Sequence, residues 1–216
     1  MIDVYFLGAG NHASEMGEYF TEQRDVNWAG CIVDADHHQN HPTISKSIFL
    51  IDDFIRSIPA ERNTKLIGAI GDYKRSVMIT RLEELGYAFI NYYHPSSYIS
   101  PSVKAGRGSC VAPLCVINAN VVIGNHCIIN SKSNISHDCV LSDFVTISPG
   151  VSIAGNVRIG EGVFIGTGAN IIPDVTIGDG TYIAAGACVT KSVPANVMLA
   201  GVPASIKKSI KQALQY

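Results

Sequence analysis

From Ile99 onward the hydrophobic pattern repeats every six residues. The positions Ile99, Ala105, Val111, Ile117, Ile123, Ile129, Ile135, Leu141, Ile147, Ile153, Ile159, Ile165, Ile171, Ile177, Ile183 and Val189 hold branched aliphatics at fifteen of sixteen steps, with no slip in register. The residue after each is usually small, as at Gly106, Gly124, Gly160, Gly166 and Gly178. Such a stripe cannot be helical, because 3.6 residues per turn would spread it around the helix. It predicts short strands separated by tight corners, each strand sending one large aliphatic inward beside a small residue that lets the chain bend. Three strands close one triangular coil, and the sixteen hexads make about five coils whose stacking pairs the backbone between rungs.

Before this segment the pattern alternates between strand-like and helix-like runs. Ile2 to Leu7 reads as a buried strand, Gly8-Ala9-Gly10-Asn11-His12-Ala13 opens a helix through about Arg24, and Trp28 to Val33 forms a second strand ending at Asp34. Gly-x-Gly-x-x-Ala after a strand brings backbone N–H groups and a helix N-terminus close to a phosphate, while an acid closing the next strand can accept from a ribose hydroxyl. Lys65 to Ile70 reads as a third strand running into Gly71-Asp72, Tyr73 to Leu85 as an amphipathic helix stopped by Gly86, and Tyr87 to Asn91 as a last strand. A dinucleotide site needs two mononucleotide halves, and this segment holds one and a little more. A mononucleotide or nucleotide-sugar therefore fits better than NAD, the alternative being a glycine turn that serves only helix–strand packing. The expected organisation is an α/β half-Rossmann domain over 1–95, a parallel β-helix over 96–195, and a closing turn within 196–216 that ends in a short helix near Ser205 to Leu214.

Composition narrows the function. With 47% hydrophobic and 16% charged residues in 216, the chain is neither disordered nor a coiled coil. A net charge of −2 gives no electrostatic case for binding nucleic acid or an anionic membrane. The charges are uneven, however: residues 99 to 190 carry nine, and the 26 that follow carry only Lys191, Lys207, Lys208 and Lys211. Met1-Ile2-Asp3 lacks the basic start of a signal peptide and no apolar run approaches a membrane span, so a cytoplasmic protein is expected. The six cysteines include no Cys-x-x-Cys pair and read as packing residues kept reduced, with no metal role.

Among the seven histidines only His126 and His137 fall in the repeat region, while His37, His38 and His41 sit in a polar loop. A lone histidine on a β-helix corner is ordinarily a surface residue. His137 stands out because Asp138 follows it and can hold its tautomer or stabilise the imidazolium. His137, Gly155, Pro173 and Lys191 are spaced eighteen apart, so they stack on one edge at about 4.8 Å per coil. The Gly155 N–H then lies one rung from His137, an oxyanion donor with no side chain in its way.

The half-Rossmann pattern, the hexads, Ile135-Ser136-His137-Asp138-Cys139 and Ala154-Gly155-Asn156-Val157 together resemble the nucleotide-sugar N-acetyltransferases of the PglD/NeuD type, over nearly the whole chain. The resemblance implies a left-handed β-helix, an exception to the right-handed crossover preference, and a homotrimer with active sites between neighbouring subunits. It implies His137 as general base, Asp138 as its partner and Gly155 as donor to the thioester carbonyl of acetyl-CoA, the pantetheine arm meeting backbone at Thr167 and Ala185. Asn130 would lie near the sugar. Gly8, Gly10, Asp34, Asp36, Gly71 and Asp72 would contact the nucleotide, with Asn11 in the same turn, and His12 is similar to a family histidine that reaches the nucleotide-sugar from a neighbouring chain. Two departures stand out: Ser136 replaces a Glu of some relatives, and Thr146 a second His that bonds acetyl-CoA. Ala200-Gly201-Val202-Pro203-Ala204 is similar to the family's closing turn. Lys191, Lys207, Lys208 and Lys211 can meet the CoA phosphates, or simply form a solvated basic segment.

The expected reaction is direct acetyl transfer from acetyl-CoA to the amine of a nucleotide-linked 4-amino-4,6-dideoxy sugar, UDP-linked by resemblance, with dTDP and GDP as alternatives. Three rivals remain. The same base could serve a sialic-acid-type sugar O-acetyltransferase; a carbonic-anhydrase-like β-helix would need three histidines around zinc; and a nucleotide-binding module on a solenoid scaffold would leave His137 incidental.

Overall fold

The computed structural model describes residues 2–21, 25–35, 44–61 and 63–210. The chain divides into two compact units, Met1–Asn91 and Tyr92–Tyr216.

In the first unit a parallel sheet runs in the order β3-β2-β1-β4-β5, made of β1 (Ile2–Leu7), β2 (Val26–Val33), β3 (Ser47–Leu50), β4 (Thr64–Gly68) and β5 (Ala88–Phe89). Its helices are α1 (Asn11–Thr21), α2 (Ile51–Ser57) and α3 (Arg75–Glu84). Strand β1 is central, and Val4, Phe6 and Leu7 are completely buried, as a strand covered on both faces requires. Aromatic side chains fill the layers: Phe6 stacks on Trp28 at 5.0 Å and meets Phe20 edge-on, while Tyr5 meets Phe54. The pair β3–α2 extends the architecture expected from sequence. Ser47-Ile48-Phe49-Leu50 is a short apolar run that periodicity cannot tell from a buried helix segment, and only pairing against Gly30 to Val33 makes it a strand. Because β1 has β2 on one side and β4 on the other, the carboxyl ends of β1 and β4 open a crevice at a topological switch point.

In the second unit, seventeen two-residue strands from β6 (Tyr92–Tyr93) to β22 (Cys188–Val189) stack with an eighteen-residue repeat. Asn134 pairs with Val116 on one side and Ser152 on the other, all parallel. Three faces result: the first carries Tyr98–Ile99 to Cys188–Val189, the second Lys104–Ala105 to Thr176–Ile177, and the third β6 to Tyr182–Ile183. The hexad aliphatics form the core, Ile117, Ile135, Ile153, Ile165 and Ile183 among them, each at 0% exposure. Every sixth residue from Gly108 to Gly186 has positive φ. Eight of these corner residues carry side chains at φ between 56° and 63°, and four of the eight are Asn or Asp, the types that tolerate this region best.

The chain end departs from expectation. Strand β23 (Val197–Ala200) pairs with Tyr182–Ile183, and β24 (Ser205–Ser209) pairs antiparallel with β23. Where a helix near Ser205 to Leu214 was expected, Ser205–Ser209 is a strand, and residues beyond 210 lie outside the described part. The turn Gly201-Val202-Pro203-Ala204 reverses the chain against an open sheet edge, whose ladder hydrogen bonds outweigh the helix propensity of the lysines.

Candidate active site

A cavity of about 410 Å³ lies in the first unit's crevice. It is lined by Gly8, Gly10, Asn11 and His12 from the first turn, Asp34 after β2, and Gly71, Asp72 and Arg75 after β4. Gly8 has φ +104°, and a Cβ there would stand 2.5 Å from the Ile70 side chain, so both the conformation and the close approach require glycine. Of the nucleotide-contact residues expected from sequence, Asp36 lies outside the described residues, as do His37, His38 and His41.

His12 is held over this cavity with Nε2 buried and without a hydrogen-bond partner among the described residues. Burial pushes its pKa down; Glu15, with Oε2 3.8 Å from Nδ1, opposes the shift and the Arg75 charge adds to it. Arg75 itself was not singled out from sequence. It is 1% exposed, and its Nη1 donates to the carbonyls of Gly71 (3.3 Å) and Asp72 (3.0 Å), fixing the far wall of the pocket. Composition gives no sign of a buried arginine, since its burial depends on packing.

In the second unit, His137 and Asp138 form the corner between the first and second faces. Nδ1 of His137 lies 2.8 Å from Asp138 Oδ2, and Asp138 Oδ1 accepts from Asn120 Nδ2 at 3.1 Å. These bonds, from His137 first and then Asn120, hold the Asp138 carboxyl below its ordinary pKa. The His137 ring lies over buried Gly155: a Cβ there would meet Cε1 and Nε2 at 2.7 Å. The Gly155 N–H makes no hydrogen bond among the described residues, while its carbonyl accepts from Asp174 N–H at 3.1 Å. The coil does not use the N–H at this corner position. Proline occupies the equivalent site at Pro101, Pro113, Pro149 and Pro173. Elsewhere a side chain satisfies it, as Asp143 Oδ1 does for Asn125 N–H.

The remaining residues expected in the site fall elsewhere on the coil. Lys191 is exposed on the His137 corner. Thr167 and Ala185 are stacked and exposed on the corner between the third and first faces, and their N–H groups too are unbonded among the described residues. Thr146 is buried in a strand of the third face, and Asn130 Nδ2 donates to the Ile147 carbonyl at 2.8 Å. Lys207 and Lys208 are exposed on β24. One coil therefore joins His137, Asp138 and Gly155, and puts Thr167 and Ala185 on a different corner. Cys139 is fully buried, with Sγ 3.1 Å from the Ala154 carbonyl, and burial raises its pKa; it is a core residue. His126, also buried, stacks on Phe144 at the second-to-third-face corner. Among the described residues no group of three or more His, Cys, Asp or Glu side chains can hold a metal, and no helix is long and apolar enough to cross a membrane.

A family model described as bacterial transferase hexapeptide (six repeats) matches residues 138–171 and 156–191. Together with the stacked coils, this places the chain among the acyltransferases built on a left-handed parallel β-helix. Three solved structures are similar over nearly their full length. A His-to-Asn mutant of perosamine N-acetyltransferase from Caulobacter crescentus, solved with CoA and GDP-perosamine, is 32% identical over 96% of this chain and 97% of that one, with a TM-score of 0.83. The acetyltransferase domain of PglB from Neisseria gonorrhoeae FA1090, in complex with acetyl coenzyme A, is 29% identical over 94% and 98%, TM-score 0.83. WeeI from Acinetobacter baumannii AYE is 30% identical over 95% and 100%, TM-score 0.82. The chain belongs to the acetyl-CoA-dependent nucleotide-sugar N-acetyltransferases of the PglD/NeuD type.

Proposed function

We propose that this enzyme acetylates the amine of a nucleotide-linked 4-amino-4,6-dideoxy sugar in the cytoplasm, for surface-glycan synthesis, with His137 as general base. The observation that carries this reading is the His137–Asp138 pair lying over a glycine whose N–H is unbonded among the described residues. Asp138 Oδ2 accepts from the Nδ1 side of the ring, which leaves Nε2 to take a proton. Acetyl-CoA supplies the acetyl group as a thioester. As the sugar nitrogen bonds to the carbonyl carbon, His137 Nε2 takes the proton the nitrogen sheds, and the Gly155 N–H donates to the oxygen as charge builds there. The carbon–sulfur bond then breaks, and imidazolium returns the proton to the departing thiolate. No acyl-enzyme is involved, in keeping with the buried Cys139.

Thr167 and Ala185 offer N–H groups to the pantetheine amides, and Lys191, Lys207, Lys208 and Lys211 offer charge to the CoA phosphates; Thr146 and Asn130 stand near acetyl-CoA and sugar. Because the Thr167–Ala185 corner is a different corner of the coil from His137, a complete site draws on a second subunit, which supports a homotrimer with sites between subunits. In the first unit the Gly8–His12 turn takes the diphosphate, Asp34 and Asp36 the ribose, and Gly71 and Asp72 the far side of the nucleotide. The family resemblance favours a UDP-sugar, and the GDP-perosamine complex of a 32% identical relative brings GDP alongside it. A turnover screen of UDP-, dTDP- and GDP-linked 4-amino sugars and their hydroxy-sugar counterparts with acetyl-CoA, read as free thiol release, tests the proposal. Turnover of at least one amino sugar is expected, and turnover confined to hydroxy-sugar acceptors would refute it.

A further inference from the structure

The His137 corner carries a hydrogen-bond ladder that runs back along the coil from the base. Asp138 is held at both oxygens, Oδ2 by His137 Nδ1 at 2.8 Å and Oδ1 by Asn120 Nδ2 at 3.1 Å. Asn120 occupies the same corner position one coil earlier and shares the positive φ, 62°. Its own N–H donates to Ser102 Oγ at 2.9 Å, again the same position one coil back, and Ser102 Oγ lies 3.1 Å from Ser100 Oγ. Asn120 is thus anchored on one side and presents its amide on the other.

The chemistry of this arrangement is one-directional. A carboxylate can only accept, so the Asn120 group facing Asp138 must be the amide nitrogen. With Oδ1 engaged, the carboxylate plane is fixed and Oδ2 remains for the imidazole. A neutral ring bonded in this way carries its proton on Nδ1 and leaves Nε2 bare, and Nε2 belongs to the ring edge that lies over Gly155. Of the residues at ease with positive φ, Gly and Asp bring no side-chain donor under neutral conditions, whereas Asn does.

We infer that Asn120 is a positioning residue for acetyl transfer: by donating to Asp138 it fixes the carboxylate that holds His137 in the Nδ1–H tautomer. Asn120 has this role only if His137 is the base proposed above. Two variants test it. Asn120→Gly removes the amide at a backbone conformation glycine accepts, and Asn120→Asp keeps the shape while replacing the donor with a second carboxylate. Nitrogen-15 NMR of histidine-labelled full-length protein reads the His137 tautomer directly, without turnover. In the natural protein the neutral ring should be predominantly Nδ1–H. In Asn120→Gly the Nε2–H form should grow, with kcat down about tenfold, in the range that an orienting outer partner contributes, and both KM values unchanged. Asn120→Asp should lose more, because like charges disfavour an ionised Asp138. An unchanged tautomer in both variants overturns the inference, as does full turnover in both when His137→Ala is inactive. Full turnover in His137→Ala removes the base assignment and this inference with it, and that result appears in a different variant from the first two.

Discussion

The two units solve the same problem, placing a few polar groups with precision, by opposite means. The second unit is a ladder in which Ile135, Ile153 and Ile171 occupy one repeated position at 0–2% exposure, and a departure from the repeat stands out against it. His137 over Gly155 is such a departure, at a corner whose N–H the coil does not need. The first unit has no repeat. Its pocket arises where different elements meet, with Gly8, Asp34 and Arg75 coming from three separate strand ends and helix starts. A periodic scaffold therefore confines function to the exceptions in its pattern, while an α/β layer spreads it over loops that only the folded topology assembles.

If this contrast is right, damage should separate by unit. The largest effect is expected from the coil core: Ile153→Ala should cost about 2–5 kcal/mol, measured by denaturant unfolding, and should weaken acetyl-CoA binding. A loss well under 1 kcal/mol would mean the coil tolerates gaps that its close packing argues against. Next, Gly155→Ala puts a methyl group 2.7 Å from the His137 ring without disturbing the core. We expect kcat to fall about a hundredfold, within the roughly 10²–10⁴-fold range of a general base, because the methyl group pushes the ring out of place while the backbone N–H remains, with nucleotide affinity unchanged by calorimetry. In the first unit, Arg75→Met should remove about 1–3 kcal/mol, as charged-group hydrogen bonds to Gly71 and Asp72 are lost, and should weaken nucleotide-sugar binding while leaving CoA affinity intact. Equal losses for both ligands would erase the distinction between the units.

The smallest effect concerns pH. The folded pKa of His12 lies below the unfolded value, so between the two the unfolded chain binds more protons and stability rises with pH. Acidification below about pH 6.5 should therefore lower the melting temperature, continuing until the folded pKa is passed. His12→Gln should show a shallower decline over the same range, and an identical decline would show that burial of His12 carries no such linkage.

What could be read from sequence followed the same division. The hexads were legible because one side-chain type per period states both the fold and the register, and the eighteen-residue spacing alone puts Gly155 one rung from His137. Asn120 was not singled out, although the same spacing relates it to Asp138, because an asparagine at a corner is ordinary turn chemistry until its partner is known. Strand β24 was missed for a related reason: Ser205–Ser209 has no strand pattern of its own and is ordered by the edge it meets. In the first unit the glycine turn and Asp34 announced the pocket, but the burial of Arg75 and the pairing of β3 depend on contacts far apart in sequence.

The role of His137 as base for direct transfer at this corner can be read from His137→Ala assayed with a turned-over amino sugar and acetyl-CoA, alongside Cys139→Ala. A fall in kcat of about 10²–10⁴-fold is expected for His137→Ala, with CoA affinity retained by calorimetry and Cys139→Ala active. Turnover preserved in His137→Ala and abolished in a folded Cys139→Ala would contradict it.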